Sequence, residues 1–77
     1  MFCDRLKELR INANLTQDEL ALKLSVSRSA VAKWEQGRGI PNKESLQDIC
    51  KLFSIDEDDL FNYNDLEKNI KENHRIN

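Results

Sequence analysis

The sequence predicts an all-α fold of five short helices, and three observations support that prediction. Leu, Lys, Glu and Asp are abundant, whereas Gly occurs twice and Pro once, a balance that favours helices over a sheet. Apolar residues recur at helical spacing, most clearly Leu46, Ile49, Cys50 and Phe53 in an i, i+3, i+4, i+7 series. The breaks between such runs are short and end in residues suited to start a new helix, among them Thr16, Ser27, Asn42 and Asp56.

The first helix is expected from Cys3 to Ala13, with Leu6 and Leu9 on one face, joined by Cys3 and Ala13. The segment from Asn12 to Leu15 breaks it. Thr16 opens the second helix, and Glu19 three residues later completes a T-x-x-E capping box. Leu20, Ala21 and Leu24 face inward. Ser25-Val26-Ser27 interrupts the chain, and Ser27 caps a third helix from Arg28 to about Gln36, which Gly37 ends in a left-handed stop. After a loop from Arg38 to Pro41, Asn42 caps a fourth helix that reaches Phe53. Asp56 then caps a short fifth helix ending near Phe61. The expected domain is 1–61. Residues 62–77, rich in Asn and charge, read as a tail that is weakly helical or disordered.

A chain of 77 residues makes one small domain. Such a domain buries only about 60% of the surface its unfolded chain exposes, so its apolar side chains fill one core and leave no deep cavity. An enzyme is not expected. No Ser/His/Asp or Cys/His set falls in the folded region, and His74 stands alone in the tail. Gly37-Arg38-Gly39 ends a helix with no strand after it, so it is no phosphate loop. Cys3 and Cys50 read as small buried hydrophobes rather than disulfide partners or metal ligands. No metal, cofactor or small-molecule ligand is expected. The charged first fifteen residues do not form a signal peptide, and no run approaches the roughly 20 apolar residues of a membrane span. The expected location is the cytoplasm.

The net charge of -2 hides a division. Residues 1–55 hold nine Lys or Arg against seven Asp or Glu, and residues 56–77 hold three against seven. Between Lys23 and Lys43, five basic residues face a single acid, Glu35. The chain therefore carries a local basic patch and an acidic tail.

Two helices joined by a three- or four-residue turn are the units of a helix-turn-helix. Small Ala21 suits a close crossing of the second and third helices, while Leu20, Leu24, Val26, Val31 and Trp34 anchor them to a core. Trp34, spaced with Val31, belongs inside rather than stacked on a base. The outward stripe of the third helix is then Arg28, Ser29, Ala32, Lys33 and Gln36, with two cations and no acid. Such a stripe suits the major groove, where Arg can bond guanine O6 and N7 together and Ala32 can meet a thymine methyl.

The T-Q-x-E-L-A run at Thr16–Ala21, V-S-R at Val26–Arg28 and K-W-E-x-G at Lys33–Gly37 resemble the lambda-repressor and Cro-like helix-turn-helix family in its XRE form. Ile40-Pro41 and the L-F-S-I-x-x-D-x-L-F run from Leu52 extend the likeness over roughly residues 3–61. The resemblance implies a compact five-helix DNA-binding domain with the third helix as recognition helix. By position it implies base contacts for Ser27, Arg28, Ser29 and Lys33, and backbone contacts for Gln17, Arg38, Asn42 and Lys43. It also implies a partly buried ion pair between Arg10 and Glu35. The chain departs from the pattern at Ser25, where the family usually has Gly because that residue takes positive φ, so a strained turn is expected there.

These features predict a sequence-specific regulator of transcription, acting as a repressor on double-stranded DNA. One recognition helix covers few base pairs, so a homodimer on a pseudo-palindromic operator is expected, joined through Leu60, Phe61 and Tyr63. The rival reading is an antitoxin or protein-interaction module on the same fold.

Overall fold

The computed structural model describes residues 2–62, which form five helices: α1 (Phe2–Asn12), α2 (Gln17–Leu24), α3 (Arg28–Glu35), α4 (Lys43–Phe53) and α5 (Glu57–Asn62). The element order matches expectation, with boundaries shifted by a residue or two. Ala13 lies beyond the end of α1 and is exposed, so it leaves the inward face assigned to it, and Phe2 joins Leu6 in the core instead. The tail expected from residue 62 lies outside the described residues apart from Asn62, which ends α5.

One connector is used three times. Asn14, Ser25 and Ser54 each take a left-handed conformation, with φ of 60°, 59° and 56°. The next residue (Leu15, Val26, Ile55) sends its N–H back to the carbonyl of Arg10, Ala21 or Cys50 at 3.0 Å, and its side chain packs against the core. That is the Schellman ending, with its usual apolar contact. The residue after that caps the next helix. Thr16 accepts from the Glu19 N–H while Glu19 accepts from the Thr16 N–H, Ser27 accepts from Ala30 at 3.1 Å, and Asp56 from Asp59 at 2.8 Å. A left-handed residue, an apolar plug and a cap thus turn the chain in the shortest space.

The connection after α3 differs. Gly37 is left-handed at φ 74°, but the residue whose N–H closes the motif on Lys33 is Arg38, a cation where the other three connectors have an apolar side chain. Unanchored there, the chain runs on as an open loop until Asn42 caps α4 by accepting from Ser45 at 2.9 Å.

The core draws on every helix. Leu6, Leu20, Val31, Ile49 and Leu60 are fully buried, and Ala21, Leu24 and Trp34 nearly so. Burial of each large side chain contributes about 1.5–3 kcal/mol. α5 packs on α1 and α4, and Phe61 stacks on Phe2 with ring centroids 5.2 Å apart. This corrects the expected self-association surface. Leu60 is core in the single chain, Phe61 is engaged by Phe2, and Tyr63 lies outside the described residues. Cys3 and Cys50 are half-buried and unlinked. Burial pushes the Cys50 thiol pKa up, with the charges of Glu57 and Asp56 acting in the same direction.

Candidate nucleic-acid interface

α3 is amphipathic in the sense its sequence demands. Val31 and Trp34 are buried, while Arg28, Ser29, Lys33 and Gln36 are exposed and Ala32 is half-buried between them. The two cations therefore lie on the open side of the helix. Gly39 lies under Lys33: a Cβ built there would meet the Lys33 Cδ at 3.5 Å. The loop thus packs against the lysine's aliphatic stem, and the residue as a whole stays exposed.

Ser27 sits at the mouth of α3 with its oxygen accepting from Ala30, which leaves its hydroxyl hydrogen to donate elsewhere. On the flanks, Asn42 and Lys43 open α4, Lys43 exposed and Asn42 using its carbonyl oxygen as the cap. Arg38 is exposed and donates to the Gln36 side chain at 3.1 Å. Gln17 is the first residue of α2, where helix N–H groups favour an anion.

A polar clamp ties these parts together from behind. Arg10 of α1 donates twice to Glu35 of α3, at 2.7 and 3.0 Å, and once to the Leu15 carbonyl at 2.8 Å. The pair is largely withdrawn from solvent, the two side chains being 12% and 3% exposed. The bond to Glu35 raises the already high pKa of the Arg10 guanidinium, with burial acting in the opposite direction. Gln17 completes the set by donating its amide to Glu35 at 3.1 Å. The expected ion pair is present, then, and it holds a third residue that spacing along the chain gave no reason to include. Glu35 fixes the side chain at the start of α2 to the last residue of α3.

Sequence reasoning also missed an acid. The α3 stripe has none of its own, but Asp18 of α2 brings a carboxylate oxygen to 3.7 Å from Arg28 Nε, with both side chains well exposed. Ten residues separate them, and only the crossing of α2 and α3 brings them together. Among the described residues, no cluster of three or more His, Cys, Asp or Glu is placed to hold a metal ion. No helix among them is long and apolar enough to cross a membrane.

A helix-turn-helix family model matches residues 6–60, most of the chain and all of this arrangement. The chain belongs to the XRE-type helix-turn-helix family. Membership makes residues 6–60 a helix-turn-helix DNA-binding domain of the kind found in regulators of transcription. Over 65 residues it is 49% identical to the HTH-type transcriptional activator BcrR of Enterococcus faecalis, a match covering 84% of this chain and 32% of that protein. The chain thus spans about a third of that relative's length. A protein of Methanocaldococcus jannaschii named as an uncharacterized HTH-type transcriptional regulator is 39% identical over 80% of this chain and 94% of its own. The CTXphi phage transcriptional repressor RstR of Vibrio cholerae is 28% identical over 94% of this chain and 63% of its own. No solved structure matches the chain.

Proposed function

We propose that this helix-turn-helix domain binds a specific double-stranded DNA site in the cytoplasm and represses transcription as a homodimer on a pseudo-palindromic operator. The observation that carries the reading is the exposed face of α3: Arg28, Ser29 and Lys33 lie on the solvent side while Val31 and Trp34 fix the opposite side in the core. On docking, Ser27, Arg28, Ser29 and Lys33 read base edges, and Gln17, Arg38, Asn42 and Lys43 meet the backbone that sets the register. Arg and Lys suit guanine O6 and N7, and the short Ser29 and Ala32 let the helix enter closely.

Repression is favoured over activation because occupancy of an operator needs only this face, whereas activation needs a further contact with the transcription machinery. The named relatives do not decide it: one named as a repressor is 28% identical over 94% of this chain, and one named as an activator is 49% identical over 84% of it. The dimer reading draws its support from the geometry of duplex DNA: two recognition helices about 34 Å apart would read two half-sites one helical turn apart.

Selection of bound duplexes from a random pool, followed by a salt titration, tests the reading. A pseudo-palindromic consensus should emerge, and affinity for it should fall steeply from 50 to 200 mM salt, with a log–log slope near −0.9 per phosphate contact. A pool with no consensus and a shallow slope would instead mark the face as a protein-docking surface.

A further inference from the structure

An acid on the DNA-facing side of a basic interface requires a reason. Asp18 stands in the first turn of α2, one residue from Gln17, where the reading above places a phosphate. An acid near a helix N-terminus stabilises the helix, but that accounts only for its place in the sequence. It does not account for the carboxylate lying 3.7 Å from Arg28 Nε, between side chains 65% and 76% exposed. Exposed as it is, the pair contributes little to folding. Its consequence lies in where it directs the guanidinium.

We propose that Asp18 is a positioning residue for Arg28. Its carboxylate stands on the Nε side of the guanidinium, at ion-pair rather than hydrogen-bond distance, which leaves the two terminal Nη groups to lie together on guanine O6 and N7. An arginine without such a partner samples many rotamers and settles as readily on a phosphate as on a base. With Asp18 alongside, the fork is aimed before docking, and a second effect follows from charge. The carboxylate repels backbone phosphate, so it weakens sequence-independent contact. Asp18 therefore trades general affinity for base preference, a role separate from that of the Arg10–Glu35 clamp at the other end of α3.

This inference rests on the proposed DNA reading, and one set of titrations separates the two. Fluorescence anisotropy is measured with the selected duplex, with a scrambled duplex, and with duplexes in which each guanine of the half-site is replaced in turn. The guanine read by Arg28 is the one whose replacement no longer matters in Arg28→Ala. Asp18→Ala should lower the preference for that guanine about two- to five-fold, the reach of an exposed ion pair, while binding to the scrambled duplex strengthens. In an Arg28→Ala background, Asp18→Ala should leave the remaining preference unchanged. Preference is a ratio of two affinities measured on one protein, so a change in the folded fraction cancels.

An equal gain by Asp18→Ala on every duplex would show a carboxylate that only repels, and would overturn the proposal while the DNA reading stands. The same fall in preference with Arg28 already removed would overturn it too. A wild-type protein that selects no duplex would overturn the DNA reading, and this inference with it.

Discussion

An arginine–carboxylate pair marks each end of α3, one fixed and one open to water. At Glu35 the pair is largely withdrawn from solvent, doubly bonded at 2.7 and 3.0 Å, and reinforced by Gln17. At Arg28 the pair is open to water, single and 3.7 Å long. The same chemistry does different things because solvent decides what it contributes. Withdrawn from water, a charge left without its partner is costly. In water, the same loss is largely made good by hydration. The fixed end sets the angle of the helix against α1 and α2, and at the open end Asp18 stands beside an arginine whose terminal nitrogens stay free to meet DNA.

The largest effect expected from breaking this contrast is at Glu35. Glu35→Ala leaves the Arg10 guanidinium with the Leu15 carbonyl alone and releases Gln17, so chemical denaturation should show a loss of about 2–3 kcal/mol, below the roughly 3–5 kcal/mol of a fully buried pair. A loss below 1 kcal/mol would mean that the two ends are alike.

The turn into the open end offers the next largest change. Ser25 holds a left-handed conformation at φ 59°, which costs a side-chain-bearing residue roughly 1–2 kcal/mol. Ser25→Gly removes that cost but adds freedom to the unfolded chain, for a net gain of about 0.5–1 kcal/mol in unfolding free energy, read as a rise in the denaturation midpoint.

Asp18→Asn should shift stability by no more than about 0.5 kcal/mol, as suits a surface substitution. A shift as large as that of Glu35→Ala would make the outer pair a second clamp.

The smallest effect is one of pH at Cys50, away from both ends. Its thiol pKa is raised in the folded state by burial and by Glu57 and Asp56, so the folded form holds the proton more tightly than the unfolded chain. The resulting stability is present below the ordinary thiol pKa and is lost as pH rises from there through the folded value. Denaturation midpoints measured from pH 7 to pH 10 should fall more steeply for the wild type than for Cys50→Ala.

Much of this was legible from local pattern, because caps and helical faces are short-range facts. The caps at Thr16, Ser27, Asn42 and Asp56, the inward Val31 and Trp34, and the outward Arg28 and Lys33 all depend on neighbours within one or two turns. Ser25 was anticipated through family likeness, but Asn14 and Ser54 were not: Asn favours a left-handed helix ending, a local signal passed over, whereas a serine such as Ser54 carries no such mark. Leu60 was misplaced because a helix of six residues is too short to show which side faces inward. Its burial is decided by α1, some fifty residues earlier. Gln17 on Glu35 and Asp18 on Arg28 were out of reach for the same reason: each needs the crossing of α2 and α3, which spacing along the chain does not specify.

The claim that α3 reads bases with its outer face is tested most directly by Arg28→Ala against the selected duplex and a scrambled one at fixed salt. The expected result is a loss of about 1–3 kcal/mol on the selected duplex with little change on the scrambled one, whereas Lys43→Ala weakens both alike. Equal losses on both duplexes for Arg28→Ala would contradict it, reducing that arginine to a general contact with phosphate.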